Sequence, residues 1–174
     1  KSLFSEIQSD TQQMFKDKMH TFELVCPTSL CLVGKRSELY SAISNLVVNA
    51  AKYTPASGHI KLSADKGTNF FNIAVVDNGV GIENHHIPRL TERFYRIDGS
   101  RSSDTGGTGL GLAIVKHILA RHEAELEIKS SYGEGSSFIC RLPLSRAASN
   151  AIDDKQSQTS TDNETQQVYS DSDI

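Results

Sequence analysis

The stretch Ser103-Asp104-Thr105-Gly106-Gly107-Thr108-Gly109-Leu110-Gly111-Leu112-Ala113-Ile114-Val115-Lys116 constrains the fold more than any other part of the chain. Four glycines fall within six residues, from Gly106 to Gly111, and an apolar helical pattern starts at once. Leu110, Ile114, Val115, Ile118 and Leu119 recur at helix spacing, with Thr108 placed as the N-cap. Such a junction offers bare backbone N–H groups and the positive end of a helix dipole, which together suit a phosphate. The same glycines also suit a turn that binds nothing. The P-loop pattern Gly-x-x-x-x-Gly-Lys-Ser/Thr occurs nowhere in the chain. A dinucleotide fingerprint needs a buried strand before its glycines, and here the polar run Arg101-Ser102-Ser103-Asp104 stands instead.

At 174 residues the chain has the length of one domain. It opens at Lys1 rather than Met, and we read it as a piece of a longer protein. No apolar run is long enough to span a bilayer, and no signal peptide is visible. The net charge of −3 gives no argument for nucleic acid as a partner. From Ser145 to Ile174 the composition is polar and carries −4, which leaves +1 for the rest. So few large apolar residues cannot offset chain entropy, and residues 145–174 are expected to form a disordered acidic tail. Cys26, Cys31 and Cys140 have no Cys-x-x-Cys spacing and read as reduced cysteines, without a zinc site.

In chain order, residues 3–19 read as a helix with a thin apolar stripe of Leu3, Ile7, Met14 and Phe15. That stripe needs a surface, either on this domain or on an upstream helix. Short strands are expected at 21–25 and 30–33. A helix over 35–52 has a clear core stripe of Leu39, Ala42, Ile43, Leu46, Val47 and Ala50. Asn45, Asn49 and Lys52 share one edge of that helix, about 110° from the stripe, where polar groups can line a cleft. They also suit a plain solvated edge.

A hairpin is expected from His59 to Ala64 and Phe70 to Val76, the second strand being apolar enough to lie centrally. It ends in Asp77-Asn78-Gly79-Val80-Gly81-Ile82, which is either a ligand site or an Asp-Asn-Gly turn. A short helix over 85–90 follows. The chain from Thr91 to Gly107, with Arg93, Phe94, Tyr95, Arg96, Asp98 and Arg101 together, has the character of a lid or binding loop. Two strands, at 124–130 and 136–142, complete the pattern.

Four of these stretches, with a fifth from Gly133 to Phe138, match one family in order and spacing. The chain resembles the catalytic, ATP-binding domain of sensor histidine kinases, in the class shared with gyrase, Hsp90 and MutL-type ATPases. The resemblance rests on Asn45-Leu46-Val47-Val48-Asn49-Ala50-Ala51-Lys52-Tyr53-Thr54-Pro55, on Asp77 to Ile82, on Arg93 to Asp98, on Gly106 to Leu112, and on Gly133-Glu134-Gly135-Ser136-Ser137-Phe138. The run His86 to Arg96 is most similar to the phosphate-starvation sensor kinases of Gram-negative bacteria.

The resemblance implies an α/β (α+β) two-layer sandwich of the Bergerat type, with a mixed, mainly antiparallel sheet packed against helices. It implies that Asp77 accepts the adenine amino group, and that Gly79 and Gly81 let the base approach the backbone. Ile82 would pack on the base and Tyr53 stack near it. Asn49 would be the Mg²⁺ ligand, with Asn45 orienting that site and Lys52 offsetting phosphate charge. Gly107, Thr108, Gly109, Leu110, Gly111 and Leu112 would hold the phosphates. Tyr95 and Arg96 lie in the loop that closes over ATP, with Arg96 reaching the γ-phosphate.

None of His20, His59, His85, His86, His117 or His122 has the Ser-His-Glu-Leu-Arg-type context of the family's phosphoacceptor. The resemblance therefore implies a histidine on a separate dimerisation domain, a response regulator downstream, and a cytoplasmic domain of an inner-membrane protein. The piece itself is expected to be monomeric and the full-length protein a homodimer. Residues 1–19 would be what remains of the connection to the dimerisation domain, and 20–144 the catalytic domain. A rival expectation is a nucleotide-gated interaction module. Against it, Leu46-Val47-Val48 precedes Asn49, where hydrolysing relatives carry a glutamate.

Overall fold

The structure, a computed structural model, describes residues 2–27, 30–97 and 107–149. Helix α1 spans Ser2–Met14 and is followed by a 3₁₀ turn, Lys16–Lys18. Strand β1 covers Thr21–Val25, β2 Leu30–Leu32, and helix α2 Arg36–Tyr53. The hairpin strands are β3, His59–Lys66, and β4, Phe70–Asp77. After a 3₁₀ turn at Ile87–Arg89 come helix α3, Gly111–Arg121, and strands β5, Glu125–Ser131, and β6, Gly135–Pro143. A last 3₁₀ turn, Leu144–Arg146, leads into β7, Ala147–Ser149.

Five strands form one sheet in the order β1-β3-β4-β6-β5, and β2 pairs with β7 in a two-stranded ribbon. Among the described residues, only β1 and β3 run parallel within the main sheet. A parallel pair needs a long connection, and α2 lies in it. The fold is the expected mixed sheet packed against helices. As the sequence predicts, β4 is central. Its alternate residues Phe71, Ile73 and Val75 are buried on the core face, as are Ile60 and Leu62 of β3 and Phe138, Cys140 and Leu142 of β6. Burial pushes the Cys140 thiol up to about 12, so it acts as a small apolar group.

Helix α2 buries the predicted stripe, with Ala51 added. It stops because Pro55 follows: Thr54 adopts φ −89°, ψ 129°, the extended form a residue before proline is driven to.

Four expectations are corrected. Helix α1 docks on this domain through Phe4, Ile7 and Thr11, while Met14, counted in the stripe, is exposed and lies in the last turn. In α3 the buried residues are Val115, Ile118 and Leu119, and Ile114 points outward, because the helix is seated on α2 along a narrower face. The N-cap of α3 is Leu110, not Thr108, with no side-chain cap. Ordered elements continue past residue 144 through Ser149, since backbone pairing to β2 holds β7 without needing large apolar side chains. The remainder of the predicted tail, 150–174, and Asp98 to Gly106 of the loop lie outside the described residues.

Leu46 is fully buried and Ile114 is 41% exposed. We expect Leu46→Ala to lose about 2–5 kcal/mol of stability and Ile114→Ala less than about 0.5 kcal/mol. Urea unfolding of the two variants checks this, and equal losses would refute the packing described.

Candidate functional site

The face of α2 that carries Asn45, Asn49 and Lys52, the end of β4 and the start of α3 meet at one side of the sheet. Asp77 continues the alternation of Phe71, Ile73 and Val75, so β4 delivers a carboxylate to a core-face position. It is 6% exposed. Burial raises its pKa above the ordinary carboxylate value, and hydrogen bonds from the backbone of Gly79 and Ser136 oppose the rise. The Gly79 N–H donates to Asp77 Oδ1 at 2.9 Å.

Gly79 lets its neighbours approach more closely than any side chain would allow. A Cβ there would stand 2.8 Å from Asp77 Oδ1, 3.1 Å from Thr54 Oγ1 and 2.6 Å from the Tyr53 carbonyl. Thr54 is wholly buried, and its Oγ1 has no hydrogen-bond partner among the described residues. An unpaired buried hydroxyl beside a buried carboxylate is costly unless a ligand completes it. Thr54 carries no role in the sequence reading, although it stands in the quoted Tyr53-Thr54-Pro55 run.

Gly81 answers a packing need instead. At φ +67° a Cβ would fall 1.9 Å from the Ser131 carbonyl at the end of β5. The following Ile82 N–H is fixed by Ser130 Oγ at 2.8 Å, and the Ile82 side chain packs partly buried on the core.

Along α2, Asn45 donates from Nδ2 to the Ser41 carbonyl at 2.7 Å. Its Oδ1 faces the start of α3, 2.9 Å from where a Gly111 Cβ would stand. Asn49 is half-buried, and its amide makes no hydrogen bond among the described residues. Lys52 lies 5.1 Å from the centroid of the half-exposed Tyr53 ring and forms no ion pair among the described residues. Gly107 to Leu112 lead into α3 beside Asn45, with Thr108 exposed and Leu112 packed partly buried on the core.

Tyr95 and Arg96 are placed differently. Tyr95 hydrogen-bonds His86 Nδ1 at 2.6 Å, and the Arg89 guanidinium lies 4.3 Å from its ring centroid. Arg96 is exposed. Neither side chain bonds to α2 or β4 among the described residues. The base of the segment between them and α3 is closed where the Phe94 N–H donates to the Gly109 carbonyl at 2.9 Å.

A family model described as histidine kinase-, DNA gyrase B- and HSP90-like ATPase matches residues 34–146. The chain belongs to that family of ATPase domains. It is 47% identical over 147 residues to the phosphate regulon sensor protein PhoR of Pseudomonas aeruginosa, covering 84% of this chain and 33% of that protein. To the protein of the same name from Haemophilus influenzae it is 42% identical over 142 residues, covering 82% and 33%. The chain thus spans about a third of the length of these relatives. Among solved structures, the mycobacterial sensor histidine kinase MprB superposes with a TM-score of 0.71 at 26% identity, over 82% of this chain and 93% of that one.

Two outcomes follow from this geometry. An acid whose folded pKa is raised costs stability when ionised, and that cost disappears as pH falls. We expect Asp77→Asn to melt about 2 °C above the parent at neutral pH, and the gap to close below the unfolded carboxylate pKa of about 3.9. A gap that widens toward acid in melts between pH 4 and 8 would refute the burial argument. Gly109 and Gly133 both have positive φ, +69° and +86°, but a Cβ at 109 would meet the Phe94 backbone at 2.7 Å while 133 is open. Gly109→Ala should therefore lose more than Gly133→Ala, whose cost is the backbone strain of about 1–2 kcal/mol; urea unfolding compares them.

Proposed function

We propose that this chain is the ATP-binding catalytic part of a two-component sensor histidine kinase of the phosphate-regulon kind. The observation that carries the reading is that the buried Asp77 Oδ1 and Thr54 Oγ1, the latter without a partner among the described residues, both lie close to Gly79. An adenine amino group donates to a carboxylate there. Guanine presents a carbonyl oxygen at that position, which would leave two buried acceptors facing each other. Thr54 supplies a second polar partner for the base, with Tyr53 and Ile82 at its edges.

Asn49 and Lys52 stand along α2 on the phosphate side, and Gly107 to Leu112 bring backbone N–H groups at the start of α3. The amide oxygen of Asn49 suits Mg²⁺, with Asn45 held between Ser41 and Gly111 to orient that end. When bound, Mg²⁺ offsets the charge on phosphate oxygens. Arg96, exposed in a loop anchored at Phe94, is assigned to the γ-phosphate.

The phosphoryl acceptor is a histidine on a dimeric helical domain of the same protein. Its ring nitrogen bonds to the γ-phosphorus as the bond to ADP breaks, and a response-regulator aspartate receives the group next. The full protein is proposed as an inner-membrane homodimer with this domain in the cytoplasm.

Calorimetric titration with Mg-ATP should give saturable binding. GTP should give none, and neither should Asp77→Asn with ATP. Mixing the chain with its upstream helical domain and ATP should yield an acid-labile phosphoprotein. ATP binding without phosphoryl transfer would overturn the kinase reading and leave the nucleotide site standing.

A further inference from the structure

The C-terminal end of α2 lacks an ordinary cap. Helices leave their last carbonyls without partners, and a glycine in the left-handed region commonly satisfies them. Pro55 rules that ending out, and Thr54 is extended instead. The carbonyls are met by a side chain from far back in the sequence. Lys18 Nζ donates to the carbonyls of Ala51 at 2.9 Å, Lys52 at 2.6 Å and Thr54 at 2.9 Å. An ammonium has three donors, and all three are used. Its charge also lies at the negative end of the helix dipole.

The segment around Lys18 is tied to the same place from both sides. The Ser57 N–H donates to the Lys18 carbonyl at 2.7 Å, and His20 Nε2 lies 3.1 Å from the Thr54 carbonyl. What hangs on this helix end is one wall of the candidate base pocket. The Tyr53 carbonyl accepts the Val80 N–H at 3.3 Å, which joins α2 to the Asp77–Ile82 turn. Thr54 Oγ1 and the Tyr53 carbonyl lie close against Gly79, beside Asp77 Oδ1.

We propose that Lys18 is a positioning residue for nucleotide binding: by holding the end of α2, it sets the distance between Thr54 and Asp77 across the base pocket. This rests on the nucleotide reading above. Lys18 Nζ donates only to backbone carbonyls at the end of α2, not to the side-chain groups assigned to the nucleotide, so it acts through α2. It also makes the pocket sensitive to the chain that joins α1 to β1.

The test uses the full 174-residue chain with Lys18→Met and Lys18→Arg, titrated calorimetrically with Mg-ATP well below the melting temperature of each. Lys18→Met keeps the stem and loses the donors. Lys18→Arg keeps the charge but spreads its donors over a rigid plane, which cannot serve three carbonyls from one atom. ATP affinity should fall about tenfold in the methionine variant and about threefold in the arginine variant. Amide exchange at Val80 should quicken in the same order. A merely structural role would lower melting temperatures and leave affinity unchanged. Parent-like ATP affinity in folded Lys18→Met overturns the proposal. If that variant does not fold, parent-like affinity in Lys18→Arg overturns it. A parent chain that binds no ATP overturns the nucleotide reading and this proposal with it.

Discussion

The apolar stripe of α2, from Leu39 to Ala51, is sealed against the core face of the sheet, and that burial decides where the helix's polar edge can lie. Burying side chains such as Leu46, Val47 and Ile43 contributes roughly 1.5–3 kcal/mol each. The seam tolerates no rotation, because turning the helix would lift those groups out. Asn45 is therefore held beside the start of α3, with Asn49 and Lys52 further along the same edge, and the helix end is held beside Asp77. The site's geometry follows from a hydrophobic contact in which none of its polar groups takes part.

Asp77 is the cost that this arrangement carries. The sheet's period of two puts it where Val75's successor on the core face belongs, and a carboxylate there loses its water. The backbone of Gly79 and Ser136 returns some of the lost stabilisation, but not all, since the acid's pKa stays raised. Thr54 Oγ1 next to it makes no hydrogen bond among the described residues. A buried hydroxyl without a partner, beside a desolvated carboxylate, works against the fold. The pair makes sense as complementarity held ready for a ligand with a donor.

Much of this was legible in the sequence, for physical reasons. A stripe as regular as Leu39-Ala42-Ile43-Leu46-Val47-Ala50 admits only a core helix. The alternation Phe71-Ile73-Val75-Asp77 already places the acid on the buried face once the strand is recognised. Periodicity identifies a face but not what covers it, so helix spacing alone does not tell that Ile114 is exposed, or that Phe4 rather than Met14 docks α1. Thr108 is the better capping residue by chemistry, but the chain turns at Gly109 and enters the helix at Leu110. β7 is not legible because backbone pairing leaves no hydrophobic signature. Lys18 could not have been found by spacing at all, since its partners lie more than thirty residues away.

The proposed base end and the proposed phosphate end of the site are held by different means. Asp77 and Thr54 belong to elements packed into the core, so their separation changes only if α2 or β4 moves as a body. Arg96 and Tyr95 lie outside that packing, the first exposed and the second held by His86 and Arg89. The contacts of these two side chains can change at the expense of a few hydrogen bonds, without disturbing the core. On the proposed reading, recognition of the base stays fixed while the groups assigned to the γ-phosphate rearrange, as delivery of a phosphoryl group to a separate acceptor would require.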